Sequence, residues 1–212
     1  MKENKVSIVI TAYNVVEYLK KAVMSAVQQG VKEVIIVEDC STDNTKDVIS
    51  ELVMNLSSIV KVIYNEKNIG AGLSRRVGIE NATGEYVLLL DGDDYIDEGY
   101  IKALLDRAEE TGADIVSSGI KTIHDDGSWT ADCYGDFTAV GMDKIARFWR
   151  NRTVFLNNKL VRRSLYEKVP YCHRRYIEDT PVVIPILWYA NKCESINNIG
   201  YNYVALAKRS VV

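Results

Sequence analysis

Hydrophobic residues fall along this chain in two rhythms. Short, continuous apolar runs occupy Val6 to Ile10, Glu33 to Glu38, Val60 to Tyr64 and Tyr86 to Leu90. Such runs, with little polar alternation, suit strands covered on both faces, as in a parallel sheet. Between them, apolar residues recur at helical spacing. Leu19, Ala22, Val23, Ala26 and Val27 predict a helix over Val15 to Gln29, stopped by Gly30. A second helix is predicted from the candidate caps Ser41, Thr42 and Asp43 to Asn55, and a third over Gly70 to Asn81. Strands alternating with helices through short links predict a doubly wound α/β sheet.

After Asp94 the pattern is mixed. Ile101, Leu104, Leu105 and Ala108 share one face of a helix over Tyr100 to Thr111. Ile115 to Ile123 reads as one strand, and Asp125-Asp126-Gly127 as a hairpin turn leading to Trp129. Met142 to Arg150 reads as a helix, Asn157 to Val161 as a short strand, and Arg163 to Lys168 as a helical turn ended by Pro170. Asp179 to Asn191 reads as a helix that accepts Pro181 in its first turn, whereas Pro185 lies deeper than a helix favours. Ser195 to Asn198 and Gly200 to Val204 read as closing segments. Trp129 and Trp149 read as core residues, with stacking on a sugar as the alternative. No repeat and no Pro/Gly/Ser-rich linker interrupts the chain, so one domain over 1–212 is expected.

The chain turns on Glu85 to Asp94. A buried strand bounded by Gly84 and Gly92 ends in Asp91, Asp93 and Asp94, three carboxylates in four residues. Open α/β sheets place ligands at the carboxyl ends of their strands. Clustered carboxylates repel one another, and a hard divalent cation, Mg²⁺ or Mn²⁺, both compensates them and grips phosphate oxygens. The bland alternative is a solvated acidic turn. Composition narrows the field. At 212 residues, 47% hydrophobic and 26% charged, the chain can build an ordinary soluble core. A net charge of −3 argues against nucleic acid as a partner. Cys40, Cys133, Cys172 and Cys193 form no Cys-x-x-Cys pair and read as free thiols of a reducing compartment. His173 beside Cys172 adds too few ligands for zinc. No apolar run approaches the ~20 residues that span a bilayer, and Val6 to Ile10 is too short for a signal-peptide core. A cytoplasmic location is expected, with peripheral contact at the inner face of the membrane left open.

Six segments, in order and spacing, resemble the family 2 glycosyltransferases. Val6 to Asn14 is similar to the family's opening strand and Pro-x-Tyr-Asn turn, and Val34 to Asp43 to its Val-Asp-Asp-Gly-Ser-Thr-Asp segment. Asn68-Ile69-Gly70 through Ser74-Arg75, Gly78 and Ala82-Thr83-Gly84-Glu85-Tyr86 resembles the Asn-x-Gly, Ala-Arg-Asn-x-Gly and Ala-Thr-Gly-Glu-Tyr series. Asp91-Gly92-Asp93-Asp94 resembles the Asp-x-Asp signature, and Asn158-Lys159-Leu160 and Glu178-Asp179 resemble the later Asn-Lys-Leu and Glu-Asp elements. The chain departs from the pattern at Thr11 (usually Pro), Glu38 and Cys40 (Asp and Gly), and Ser74 and Arg76 (Ala and Asn). A Gly at the position of Cys40 would serve a positive φ that Cys dislikes. The Gln-x-x-Arg-Trp element of processive synthases is not visible, which favours one sugar per acceptor encounter.

The resemblance implies a GT-A fold: a Rossmann-like, mostly parallel central sheet with helices on both faces and a smaller mixed acceptor-side region. Residues 1–95 would bind a nucleotide-diphospho-sugar, most often a UDP-sugar, and residues 96–212 a glycan or lipid-linked saccharide acceptor. Thr11, Tyr13 and Asn14 would line base and ribose, and Asp39 would accept the uracil imide N–H or, in the plainer reading, cap a helix. Arg75 would neutralise the diphosphate or hold an acid of the metal loop. Asp91, beside Gly92, would touch the ribose or a cation-bound water, and Asp93 would ligate Mn²⁺ or Mg²⁺. Asp94 and Glu178 would support their neighbours. Asp179 would be the general base of an inverting transfer, kept ionised by a helix N-terminus that it also caps. Apart from the resemblance, Arg162-Arg163, Cys172 to Arg175 and Lys208-Arg209 read by default as solvated surface, with a basic patch for donor or lipid phosphates as the alternative. Self-association is left open. Two other readings compete: a nucleotide-sugar-binding module without catalysis, and a haloacid-dehalogenase-type phosphatase, whose nucleophilic Asp normally follows the first strand. No Walker loop occurs, which argues against an ATPase.

Overall fold

A computed structural model describes residues 5–56, 58–151, 155–169 and 179–205. The first half is the alternation that the apolar runs predict: β1 (Val6–Ala12), α1 (Leu19–Val27), β2 (Glu33–Glu38), α2 (Thr45–Leu56), β3 (Val60–Tyr64), α3 (Ala71–Glu80) and β4 (Tyr86–Asp91). The second half continues with β5 (Tyr95–Ile96), α4 (Tyr100–Thr111), β6 (Ile115–Ser117), β7 (Ile120–Ile123), β8 (Trp129–Asp132) and β9 (Phe137–Val140). It ends with α5 (Asp143–Arg150), β10 (Lys159–Arg162), a 3-10 turn (Arg163–Lys168), α6 (Thr180–Tyr189), β11 (Lys192–Ser195) and β12 (Tyr201–Val204).

Eight strands form one sheet in the order β3-β2-β1-β4-β10-β6-β11-β9. β3, β2, β1 and β4 run parallel, while β10 and β9 run against their neighbours. β1 and β4 are central and buried on both faces, which is why their sequences do not alternate. Ile8, Ile10, Leu88 and Leu90 join Leu19, Ile49 and Leu104 in one core; Val9, Val87 and Leu89 join Ile79, Phe148 and Leu187 in the other. A second sheet of four strands, β5-β12-β7-β8, stands beside β4's carboxyl end.

Several expectations are corrected. Ile115 to Ile123 is two strands in two different sheets. The chain turns at Gly119, where a Cβ would lie 2.4 Å from the Asp132 carbonyl oxygen. Both pieces are apolar and β-branched, so periodicity hides the break. α1 starts at Leu19, because Val15 opens a tight turn in which its carbonyl accepts from the Tyr18 and Leu19 amides. Near the start of α2, Asp43 accepts from the Thr45 amide at 3.0 Å, while Ser41 and Thr42 tie to the β1 loop instead. β5 and β9 carry no apolar signature strong enough to announce them. Trp129 and Trp149 are 57% and 62% exposed, outside either core. α6 runs on through Pro185, its lost bond offset by burial of Val182, Val183, Ile186 and Leu187.

Cys40 does occupy the left-handed region, at φ 61°. Glu38 makes this tolerable: its buried carboxylate accepts from the Cys40 amide at 3.2 Å and from the Ser41 amide. A left-handed L-residue costs about 1–2 kcal/mol, part of which Gly gives back as unfolded-chain entropy. Cys40→Gly is therefore expected to stabilise the chain by ~0.5–1 kcal/mol in a urea titration.

Candidate active site

The sheet register assembles the site. Thr11 on β1 pairs with Asp91 on β4, and Ala12 pairs with Glu38 on β2, so Asp39 emerges beside Thr11 at the same end of the sheet. Here a cavity of about 380 Å³ opens, and Thr11, Tyr13, Asp39, Arg75, Asp91, Gly92 and Asp93 all line it. Asn14 is not on its wall. At φ 52° it turns its side chain into the loop before α2, where Oδ1 accepts from the Thr42 amide at 2.9 Å.

Gly92 is required by a close approach. Its amide donates to the Thr11 carbonyl at 2.9 Å, and a Cβ there would lie 2.7 Å from that same oxygen. Thr11, the residue that replaces the usual Pro, places its hydroxyl 3.3 Å from Asp91 Oδ1. Asp39 holds the N-terminal end of α3, not of the α2 that follows it in the chain. Its buried carboxylate accepts from the Asn65 side chain at 2.8 Å, the Ile69 amide at 2.9 Å and the Gly70 amide at 2.8 Å, folding the loop before α3 over the cavity. Tyr13 is 44% exposed, so its ring is a wall of the cavity and not a core residue.

Arg75, buried on α3, bridges two carboxylates. Nη2 donates to Asp91 Oδ1 at 2.9 Å, and Nη1 donates to Asp179 Oδ1 at 2.8 Å. Two neighbouring groups of the loop before β10 hold the other oxygens. The Asn157 side chain donates to Asp91 Oδ2 at 2.8 Å, and the Leu156 amide to Asp179 Oδ2 at 3.3 Å. Asp91 and Asp179 are thus clamped side by side between a guanidinium and one loop. Asp179 lies one guanidinium beyond the cavity's wall. It makes no side-chain cap to α6, contrary to expectation. Burial pushes its carboxyl up from the usual carboxylate range, and the Arg75 charge opposes that rise. A base drawn toward neutrality takes a proton more readily. Glu178 and Cys172 to Arg175 lie outside the described residues, as do Lys208 and Arg209.

Asp94 is fully enclosed. Its oxygens accept from the Tyr201 hydroxyl at 2.8 Å and the Val204 amide at 2.9 Å. Burial, then the Asp91 and Asp93 charges, push its carboxyl well above the usual range. A basic patch is not formed by Arg162 and Arg163. Arg162 pairs with Glu85 and Asp114, and Arg163 with Glu167 and the Gly84 carbonyl.

The sequence pattern assigns no role to Asn157 or to Lys159. Asn158-Lys159-Leu160 was visible as a motif, but nothing local says that its lysine is buried. Lys159 Nζ donates to the Phe155 carbonyl at 2.6 Å and to Asn158 Oδ1 at 2.7 Å, closing the loop that holds Asp91 and Asp179. Burial pushes its pKa down to about 7, against the pull of Asp179. The folded chain then binds fewer protons than the unfolded chain between that value and a lysine's ordinary 10.5, so this group's contribution to stability rises with pH across the window. Lys159→Met is expected to flatten that slope in urea titrations taken from pH 6 to 10.

Among the described residues no three His, Cys, Asp or Glu side chains group as a metal cage. A cation that takes one or two carboxylates and completes its shell from phosphates and water needs no such cage. Asp93, half-buried on the cavity wall, fits that role, with Asp91 beside it. No helix among the described residues is long and apolar enough to cross a membrane.

With this geometry in hand, similarity to known proteins is informative. A family model described as Glycosyl transferase family 2 matches residues 7–174. The chain is 28% identical to Glycosyltransferase GlyG of Streptococcus pneumoniae serotype 4, over 93% of its own length and 70% of that protein. It is 31% identical to the Cholesterol galactosyltransferase of Borreliella burgdorferi, over 93% of its length and 59% of that protein. The solved structure of S. aureus TarS 1-349 in complex with UDP superposes with a TM-score of 0.80 at 25% identity, over 95% of this chain and 60% of that one. The central sheet, with its antiparallel β10, is therefore a GT-A sheet.

Proposed function

The chain belongs to glycosyl transferase family 2, and on that premise we propose that it transfers a sugar, with inversion, from a UDP-sugar to a hydroxyl of a glycan or lipid-linked acceptor in cell-surface polysaccharide assembly. The observation that carries the reading is the shared guanidinium: Arg75 holds Asp91 at 2.9 Å and Asp179 at 2.8 Å. It seats a base beside the phosphate end of the cavity. The donor reading is supported by the TarS structure with UDP, and the pathway by relatives named for teichuronic acid and succinoglycan biosynthesis.

In this reading Thr11, Tyr13 and Asp39 receive the base and ribose end, and Asp91 meets the ribose or a cation-bound water beside the phosphates. When bound, a divalent cation on Asp93 supplies Lewis-acid stabilisation of the departing diphosphate. Asp179 accepts the proton of the acceptor hydroxyl as that oxygen forms its bond to the anomeric carbon. The bond from that carbon to the diphosphate oxygen breaks, and the nucleoside diphosphate leaves with the electron pair. Arg75 keeps Asp179 ionised for this step. A phosphatase nucleophile at Asp91 is disfavoured, since Asp91 ends the fourth strand of the chain and not the first. Were the acceptor lipid-linked, the reaction would lie at the inner face of the membrane.

The test is thermal unfolding with UDP-, dTDP- and GDP-sugars, each with and without Mn²⁺. A ligand at a hundred times its Kd adds about 2.7 kcal/mol. A UDP-sugar is expected to raise Tm in the presence of Mn²⁺. No response to any nucleotide sugar would contradict the proposal.

A further inference from the structure

The last strand described, β12, lies 110 positions beyond Asp94 in sequence, at Val204. Even so, it is fastened to the turn that carries Asp91 and Asp93. Asp94 takes one hydrogen bond from Tyr201 at 2.8 Å and one from Val204 at 2.9 Å, the residues flanking Asn202 and Tyr203. The pairing Tyr201↔Ile96 and Asn202↔Tyr95 continues the seam along β5, and the Asn202 side chain donates to Asp97 Oδ1 at 2.8 Å. Tyr201 is wholly buried, and burial beside Asp94 holds its phenol well above the usual range, so it stays a donor. Tyr203 stands two residues further along β12, nearer the cavity mouth. It is 41% exposed and lines the cavity with Asp93 and Gly92.

We infer that Asp94 is a positioning residue whose carboxylate fastens β12 to the Asp91–Asp93 turn, so that the Tyr203 ring walls the cavity where the diphosphate of a nucleotide-diphospho-sugar lies. This deepens the proposed function and rests on it. Asp94 then touches neither cation nor donor. The aromatic ring gives a rigid, half-apolar surface at the phosphate end, as Tyr13 does at the base end.

The test is a double-mutant cycle read as UDP affinity by calorimetry with Mn²⁺ present. Asp94→Asn and Tyr203→Ala are each expected to weaken UDP about tenfold, and Tyr203→Phe to restore affinity to within about threefold. Because Asp94 acts through Tyr203, the double variant is expected to lose about tenfold as well, where independent effects would give about a hundredfold. If Asp94→Asn does not fold, Tyr201→Phe loosens the same seam and replaces it in the cycle. Unchanged UDP affinity in Tyr203→Ala, or losses that multiply, would overturn the inference while leaving the donor reading intact. A wild-type chain that binds no UDP would overturn the donor reading and this inference together.

Discussion

Asp179→Asn is expected to lower sugar transfer, or donor hydrolysis where no acceptor is supplied, by about 10²–10⁴-fold, the range that a general base contributes. UDP affinity should stay within about twofold, because Asp179 is not among the cavity-lining residues and joins them through Arg75. The amide keeps an oxygen for Arg75 Nη1 and cannot take a proton. Initial rates at saturating donor, paired with calorimetry on UDP, separate the two effects. A parallel loss of rate and affinity would instead mean that Asp179 holds the donor.

Arg75→Met carries the largest expected cost in stability. It leaves two carboxylates side by side with their common cation removed. Removing one partner of a buried pair costs about 3–5 kcal/mol, which for a chain of this length is a fall in Tm of roughly 10 °C. The pH dependence has a definite sign. Burial already raises the Asp179 carboxyl, and the Arg75 charge restrains it. Without that charge the folded state binds the proton more tightly than the unfolded chain does, so the variant regains stability as pH falls. The acidic limb of its residual activity should move to higher pH for the same reason. Thermal melts and rate profiles between pH 5 and 8 read both. A limb that stays in place would show that Arg75 does not set the ionisation of Asp179.

Much of this was legible in the chain. Strands buried on both faces announce themselves as unbroken apolar runs, so β1 to β4 and the acids at the end of β4 stood out. Cys40 stood out as a departure, and its φ of 61° bears out the worry about a missing Gly. What the sequence hid depends on long-range contact. Asn14 looks like a cavity residue because it sits in the right turn; only folding shows its side chain tying the next loop. Arg162 and Arg163 look like a basic patch until Glu85, Asp114 and Glu167 arrive from elsewhere. Lys159 looks like a surface lysine until Phe148 and the 155–158 loop close over it. Tyr203 carries no local signal at all, since its place is set by Asp94 across more than a hundred residues.

The central claim is that a cation on Asp93 and a base at Asp179, which Arg75 ties to Asp91, serve one reaction. A crystal structure with UDP and Mn²⁺, read by anomalous scattering, tests it most directly. The expected map has manganese at coordination distance from Asp93, with the diphosphate on it and the Asp179 carboxylate facing the side where a sugar would sit. Manganese away from Asp93, or UDP outside the cavity bounded by Thr11, Asp39 and Asp93, would contradict the claim.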